Sequence, residues 1–424
     1  MQTDGGERRH ILFLTPQLPY PPEQGTAIRN YNLIRHVASR YDVAVLTFVH
    51  ADREGVDLAP LEEICCYLSS VPAPARSLGA RLCTLLTTRD PDMAHRLRSA
   101  TFTSALQEVL AEASPDLVQV EGIELAPYIP MMRRWLGERC PPIVFDDHNA
   151  EYVLQRRALE SDLPHPRRWQ VALYSFVQWR RLLRYERAVC RWADGVVVVS
   201  KADARAVRRL LPALSPRVVP NGVDVERYHP QLPDSLPLRH PALVFTGKMD
   251  FRPNVDAMVW FYDRVWPLLR AAVPDVQLYV VGKSPHARLS SLANDPAITV
   301  TGYVEDILPY FGGADVYIVP LRVGGGTRLK VLEAMAAGLP LVSTSLGAEG
   351  IPLISGTHAL LADTPTDFAQ AVRSLLDDPR RRQSLGNAAR EFALQRYDWR
   401  QIVPRLYPLY DTLMERRTSS SSVR

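Results

Sequence analysis

Between Gly313 and Gly350 the chain reads GADVYIVPLRVGGGTRLKVLEAMAAGLPLVSTSLGAEG, and its residue types suit one kind of chemistry. Gly324, Gly325 and Gly326 are followed by Thr327, Arg328 and Lys330. An apolar run, Val316 to Pro320, precedes the glycines as a buried strand would. After them Leu329, Leu332, Met335 and Ala336 recur at helical spacing, and Gly338 suits a left-handed cap. A glycine loop between a strand and a helix start gathers unpaired backbone N–H groups and the positive helix end over one spot. Thr327 can cap that helix, and Arg328 and Lys330 add charge to its first turn. The anion expected there is a phosphate.

Spacing excludes two familiar phosphate motifs. Gly282-Lys283-Ser284 ends like a P-loop, but the glycine that motif needs five residues earlier is Gln277. No GxGxxG follows the first strand, where a dinucleotide fold would carry it. The site belongs to a second domain, late in the chain.

The elements that must position these residues are strands alternating with helices, the mark of parallel α/β domains. Ile11–Leu14, Val43–Phe48, Leu117–Val120, Ile143–Phe145 and Val196–Val199 read as strands of a first half. Leu243–Phe245, Val276–Val281, Ile298–Thr301, Val316–Pro320 and Leu339–Ser343 read as strands of a second. Helical patterns cover Ala27–Ser39, Val255–Ala272, Glu305–Phe311 and Thr327–Ala337. Proline-rich, aperiodic sequence over Pro220–Pro237 marks the boundary, giving domains at 1–220 and 221–400 and a C-terminal helix and tail at 401–424.

Composition fits a large soluble enzyme of 424 residues. A net charge of +4 is too small to argue for nucleic acid. The five cysteines form no CxxC pair, which fits reduced thiols in a cytoplasmic protein better than metal ligation. No apolar run reaches the ~18 residues that span a bilayer, and the first residues lack the apolar stretch of a signal peptide. Asp90-Pro91-Asp92 is a DxD by letters but lacks the preceding apolar strand, so no metal or other cofactor is implied.

The run PLRVGGGTRLKVLEAMAAGLPLVST resembles the donor-binding segment of the family 4, or group 1, retaining glycosyltransferases. FLTPQLPYPPEQGTAIRNYNLIRHVA, VFDDHNAEY, VVVVSKAD, VVPNGVDVERYHP and FTGKMDFRPNVDA are similar to further family segments, in family order, across roughly residues 10 to 400. The resemblance implies the GT-B fold, two Rossmann-like domains facing each other across a cleft. It also implies transfer of a sugar from a nucleoside diphosphate sugar, with retention, to a glycan, lipid-linked or small-molecule acceptor.

Family roles carry over residue by residue. Glu333 matches the last Glu of an E-x7-E motif that holds the donor ribose; the bland alternative is a surface pair with Lys330. The motif's first Glu is replaced by Gly325, which puts the sugar's identity in doubt but leaves phosphate binding by loop amides intact. Gly326, Thr327, Arg328, Leu329 and Lys330 complete the donor loop. Lys248, after Gly247, matches a diphosphate-binding position; Arg252 is only near the second such position, where Pro253 stands, and is equally read as a solvated loop charge. His148, in DDHNAEY, matches a histidine that faces the transferred sugar, and a hydrogen-bonded strand-end histidine is its bland reading. Gly25 matches a first-domain loop near the donor phosphates, and Arg29, one turn on, would lie by the acceptor or at the surface. His148, Lys248 and Arg328 would serve the chemical step.

The segment Glu151 to Arg191 is rich in arginine and aromatics. It could meet an anionic membrane surface as a peripheral contact, or pack Trp169, Leu173, Phe176 and Leu183 on the core. Two other classes compete with the transferase: a nucleotide-sugar epimerase of the same fold, and a non-catalytic nucleotide-sugar binding protein. The EAMA segment and DDHNAEY argue against the first, and retention of His148 and Glu333 against the second.

Overall fold

The computed structural model of the chain describes residues 8–53, 55–231, 236–324 and 328–421. They form two compact units, Met1–Pro220 with Ile402–Arg424, and Asn221–Gln401. The triplet Gly325, Gly326 and Thr327 lies outside the described residues.

The first unit holds seven strands: β1 (His10–Thr15), β2 (Asp42–Val49), β3 (Tyr67–Pro72), β4 (Leu117–Glu121), β5 (Ile143–Asp147), β6 (Gly195–Val198) and β7 (Arg217–Val218). They pair in parallel in the order β3-β2-β1-β4-β5-β6-β7. The second unit holds β8 (Ala242–Thr246), β9 (Gln277–Val281), β10 (Ile298–Val300), β11 (Val316–Val319), β12 (Leu341–Ser343) and β13 (Leu360–Leu361), also parallel, in the order β10-β9-β8-β11-β12-β13. Helices cover both faces of such sheets, so the central strands are continuous apolar runs, buried along almost their whole length.

Each sheet reverses its strand order once, between β1 and β4 and between β8 and β11. Beyond the carboxyl ends of strands at such a switch point, the neighbouring loops diverge and leave a crevice for ligands. The turn after β8 carries Gly247 and Lys248, and the glycine loop follows β11. The two phosphate-candidate segments, distant in sequence, therefore share one switch point.

The apolar pattern Val255–Ala272 is broken into helices Arg252–Trp260 and Trp266–Ala272 around a π turn, Phe261–Val265. Pro267, at the start of the second helix, has no N–H to donate to the preceding turn, and the backbone widens there. After helix Pro379–Tyr397 the chain returns to the first unit at Ile402 and ends in helix Tyr407–Ser421. Its Tyr407 hydroxyl donates to His36 O at 3.1 Å, and Asp411 accepts from the Tyr41 hydroxyl at 2.8 Å.

The arginine-rich segment forms helices Glu151–Asp162 and Trp169–Trp192. The core reading of its aromatics fails: Trp169, Leu173 and Phe176 are exposed, and only Leu183 of the four packs against the core. Buried positions on that helix are taken by Ala172, Ser175, Gln178, Leu182 and Tyr185, one turn-stripe away.

Candidate functional site

In the second unit the site is built on two close backbone approaches. Gly282 packs against the end of β8 so tightly that a Cβ there would stand 1.9 Å from Gly247 O. Gly247 has φ +151°, and a Cβ on it would fall 2.7 Å from Asn254 Nδ2 and 2.8 Å from Lys330 Nζ. Glycine at 247 thus opens the passage through which Lys330 reaches β8.

Lys330 lies in the first turn of helix Leu329–Ala336, directly after the glycine loop. Its Nζ donates to Thr246 O at 2.6 Å and to Asn254 Oδ1 at 2.9 Å, and stands 4.1 Å from the centroid of the Phe245 ring. Burial, with some help from the nearby Arg328 charge, pushes its amine down to about 7 despite the opposing pull of Glu333. The surface-pair reading of Glu333 and Lys330 does not describe this arrangement, because the amine is directed at the end of β8.

Arg328 is the N-cap of the same helix and is almost fully buried. Its guanidinium lies over Gly324, whose φ is +116° and where a Cβ would come within 3.0 Å of Nη2. Among the described residues no side chain caps this helix, and none caps the Arg252–Trp260 helix after β8. In the helix after β8 Pro253 has no N–H, and Asn254 N–H donates to Phe251 O at 2.9 Å. In the helix after β11 Val331 N–H donates to Arg328 O at 2.9 Å, so Leu329 and Lys330 are the first-turn residues whose N–H groups point outward for an acceptor. Leu329, half-buried, opens the first helix, and Arg252, exposed, opens the second. Lys248 is exposed and pairs with Asp250 at 3.3 Å.

Glu333 is one turn beyond Lys330 and half-buried. Burial raises its carboxyl above the ordinary range, while Lys330 and a hydrogen bond donated by the Tyr228 hydroxyl hold it down. Tyr228 comes from the NGVDVERYHP segment of the same unit and was not picked out by motif. Asn254, which sequence reasoning also missed, bridges the β8 turn to Lys330.

In the first unit His148 follows β5, and its Nε2 lies 2.6 Å from Glu121 Oε2 at the end of the neighbouring β4. Glu121 was not singled out, although an acidic residue closing a buried parallel strand is a signal for the ligand edge. Arg29 is not at a surface. It is buried, donates from Nε and Nη2 to Asp146 Oδ2 at 3.2 and 2.7 Å, and from Nη1 to Val219 O at 3.1 Å. The guanidinium supplies the positive charge in the cluster of Glu121, Asp146 and His148. Gly25, exposed, begins helix Gly25–Val37, on which Arg29 lies one turn later. Behind His148, Asp147 and Glu186 are buried together and share a hydrogen bond, and burial pushes the Glu186 carboxyl up to about 8.

The structure thus gathers Lys248, Arg252, Arg328, Leu329, Lys330 and Glu333 at one switch point, and places His148, Gly25 and Arg29 in the other unit. Such a switch point, with a helix start, cations and a carboxylate, has the parts to hold a diphosphate joined to a polyol.

Residues 24–227 match the model for glycosyltransferase family 4, and residues 240–378 match the model for group 1 glycosyl transferases. The chain is 30% identical over 248 residues to a GDP-mannose-dependent alpha-(1-6)-phosphatidylinositol monomannoside mannosyltransferase of Mycolicibacterium smegmatis, a match covering 53% of this chain and 64% of that protein. It is 27% identical over 298 residues to an alpha-maltose-1-phosphate synthase of the same organism, covering 62% and 73%. The first of these matches therefore spans less than two thirds of the relative's length. Among solved structures, sucrose-phosphate synthase from Thermosynechococcus elongatus superposes with a TM-score of 0.71 at 19% identity, covering 96% of this chain and all of that one. Anabaena HepE in complex with UDP superposes at 0.65 with 14% identity, covering 95% and 100%. The two sheets and these neighbours make the fold GT-B, and the two family models together make the chain a member of the family 4, group 1 glycosyltransferases.

Proposed function

We propose that the protein transfers a sugar, with retention at the anomeric carbon, from a nucleoside diphosphate sugar to a glycan, lipid-linked or small-molecule acceptor. The observation that carries this reading is the meeting, at the β8/β11 switch point, of the start of helix Leu329–Ala336 with Arg328, Lys330 and Glu333. The diphosphate binds the helix-start amides, with Arg328 and Lys248 neutralising the charge that develops as it leaves. Glu333 accepts from the two ribose hydroxyls. His148 faces the transferred sugar, and the leaving phosphate takes the acceptor proton on the face from which the sugar departs. Gly325, at the position of the motif's usual first glutamate, offers no carboxylate to the sugar hydroxyls. Relatives named for GDP-mannose and neighbours holding UDP or UDP-glucose support a nucleotide sugar and leave both bases to be tried.

The acceptor is met at an anionic membrane surface. Support comes from an apolar face without a core to cover: Leu78, Leu82 and Leu86 of helix Leu78–Thr87, 57–81% exposed, beside Trp169, Leu173 and Phe176, 45–65% exposed. Arg181 joins the two helices by donating to Leu85 O at 2.7 Å, and Arg81, Arg167, Arg168 and Arg180 are exposed on the same two segments. Apolar side chains fringed by arginine match acyl chains beneath anionic headgroups. Among the described residues no helix is long and apolar enough to cross a membrane.

The test is a panel of nucleotide sugars offered with extracted lipid and glycan acceptors, with the anomeric configuration of the product read by NMR. Transfer with retention is expected; inversion, or donor turnover to an epimer without acceptor, would overturn the reading.

A further inference from the structure

His148 is not held by its own loop. Glu121 and Asp146 are register partners on β4 and β5, and both are completely buried. The Glu121 carboxylate has two different neighbours: Oε2 faces His148 Nε2 at 2.6 Å, and Oε1 accepts from Gln119 Nε2 at 2.5 Å. Gln119 and Glu121 are two apart on one strand, so their side chains share a face of the sheet. The other end of the Gln119 amide, Oε1, accepts from the hydroxyl of Tyr410. Tyr410 is fully buried and belongs to Tyr407–Ser421, the helix by which the chain's end returns to the first unit.

Donor and acceptor chemistry fixes the direction of this chain. The amide nitrogen of Gln119 can only donate to Glu121, so its oxygen is left for the Tyr410 hydroxyl. One carboxylate oxygen is thereby committed to Gln119, and the other takes the N–H at Nε2 of His148. The imidazole is left with Nδ1 as its free nitrogen. Nδ1 has no hydrogen bond among the described residues, and it borders Gly122, where a Cβ would stand 3.7 Å away. Gly122 has φ +82°, a backbone conformation that favours glycine.

We propose that Glu121 is the positioning residue of His148, and that the C-terminal helix sets Glu121 through Tyr410 and Gln119. The consequence is that the last helix of the chain is part of the sugar-facing machinery. This rests on the reading of His148 as the sugar-facing histidine, but its central measurement does not need turnover.

The charged groups around the imidazole are Glu121 and Asp146 on the adjoining strands and Arg29 from helix Gly25–Val37. Glu124 and Glu151 lie on the flanking loop and helix, and Arg96 pairs with Glu124 at 3.6 Å. Burial alone would lower the histidine, but the hydrogen bond and charge of Glu121, with Asp146, outweigh burial and Arg29, so it titrates above its ordinary value.

The experiment follows the imidazole of His148 by NMR in the full-length protein, assigned by its loss in His148→Gln, in wild type, Glu121→Gln and Tyr410→Phe. Removing an opposite charge at this distance should lower the His148 midpoint by about 1–3 pH units in Glu121→Gln. Tyr410→Phe deletes a single hydroxyl on a distant helix and should move the midpoint the same way by less. In turnover both variants should lose kcat with donor KM held within about twofold, and the pH–rate inflection should move with the NMR midpoint. A midpoint and nitrogen tautomer pattern unchanged in both variants would overturn the proposal. A shift in Glu121→Gln alone would remove the C-terminal helix from it. If Glu121→Gln does not fold, Glu121→Asp, which draws the carboxylate back from the imidazole by one methylene, takes its place with the same expected direction of shift. Loss of activity in His148→Gln tests the underlying reading separately.

Discussion

Lys330 should make nucleotide binding take up a proton. Its amine donates to Thr246 O and Asn254 Oδ1, two neutral acceptors, so the neutral form satisfies both bonds with its two N–H groups. Burial brings its titration to about 7 in the free protein. A diphosphate bound at the adjacent helix start restores the charged form and moves the amine back toward its ordinary value of ~10.4. The sign follows: the complex binds the proton more tightly than the free protein, so affinity is full below pH 7 and falls as pH rises through it. Protonated free sites decline from about half at pH 7 to about one in a hundred at pH 9, so nucleoside diphosphate affinity should fall about 50-fold over that range. Proton uptake should be about 0.5 per site at pH 7 and close to one at pH 9 by the same arithmetic. Isothermal titration in two buffers of different ionisation heat reads the uptake directly. In Lys330→Met, with its fold checked by circular dichroism, both the uptake and the pH slope should vanish. Equal heats in the two buffers and a flat affinity from pH 7 to 9 in the wild type would refute the placement of Lys330 at the diphosphate.

Glu333→Ala should leave the unit folded and weaken nucleoside binding, and Arg328→Ala should slow turnover at least about tenfold, since a charge-assisted phosphate contact is worth ~1.5–3 kcal/mol; unchanged affinity and rate in folded variants would exclude both roles. The carboxyl of Glu186 titrates at about 8, well above its unfolded range, so the folded state keeps a proton that the unfolded chain has already lost. Stability should therefore decline as pH rises from about 4.5 to 8, and Glu186→Gln should flatten that part of the denaturation-midpoint curve. Leu86→Asp with Leu173→Asp should abolish flotation with phosphatidylserine vesicles at low salt while leaving the melting temperature in place; undiminished flotation would place membrane contact elsewhere.

Much of the fold could be read because buried parallel strands must be apolar along nearly their whole length, as Val316–Val319 and Ala242–Thr246 are. The strands that escaped are edge or two-residue elements: Tyr67–Pro72 is only half covered, and Arg217–Val218 and Leu360–Leu361 are too short to show a period. The helix start beside Arg328 and Lys330 was legible too, since glycines followed by an apolar 3.6-residue period are a contiguous signal. Pairings across the sheet were not. Lys330 reaches a carbonyl 84 residues away, and Glu121 takes its meaning from a histidine on the next strand and a tyrosine 289 residues later. Periodicity shows that Leu78, Leu82 and Leu86 share a helix face but not which way that face points. The same limit misplaced Trp169, Leu173 and Phe176 in the core.

The most direct test of the central claim is thermal unfolding of the wild type and of Arg328→Ala/Glu333→Ala against a panel of nucleoside diphosphate sugars. At 100 times its Kd a ligand stabilises the folded state by about 2.7 kcal/mol, which for units of this size corresponds to roughly 5–10 °C. One donor, or one base with several sugars, should raise the wild-type midpoint by that amount, and the double variant should lose the rise while melting normally without ligand. A rise of equal size in both proteins would contradict the assignment of the β8/β11 switch point as the donor site.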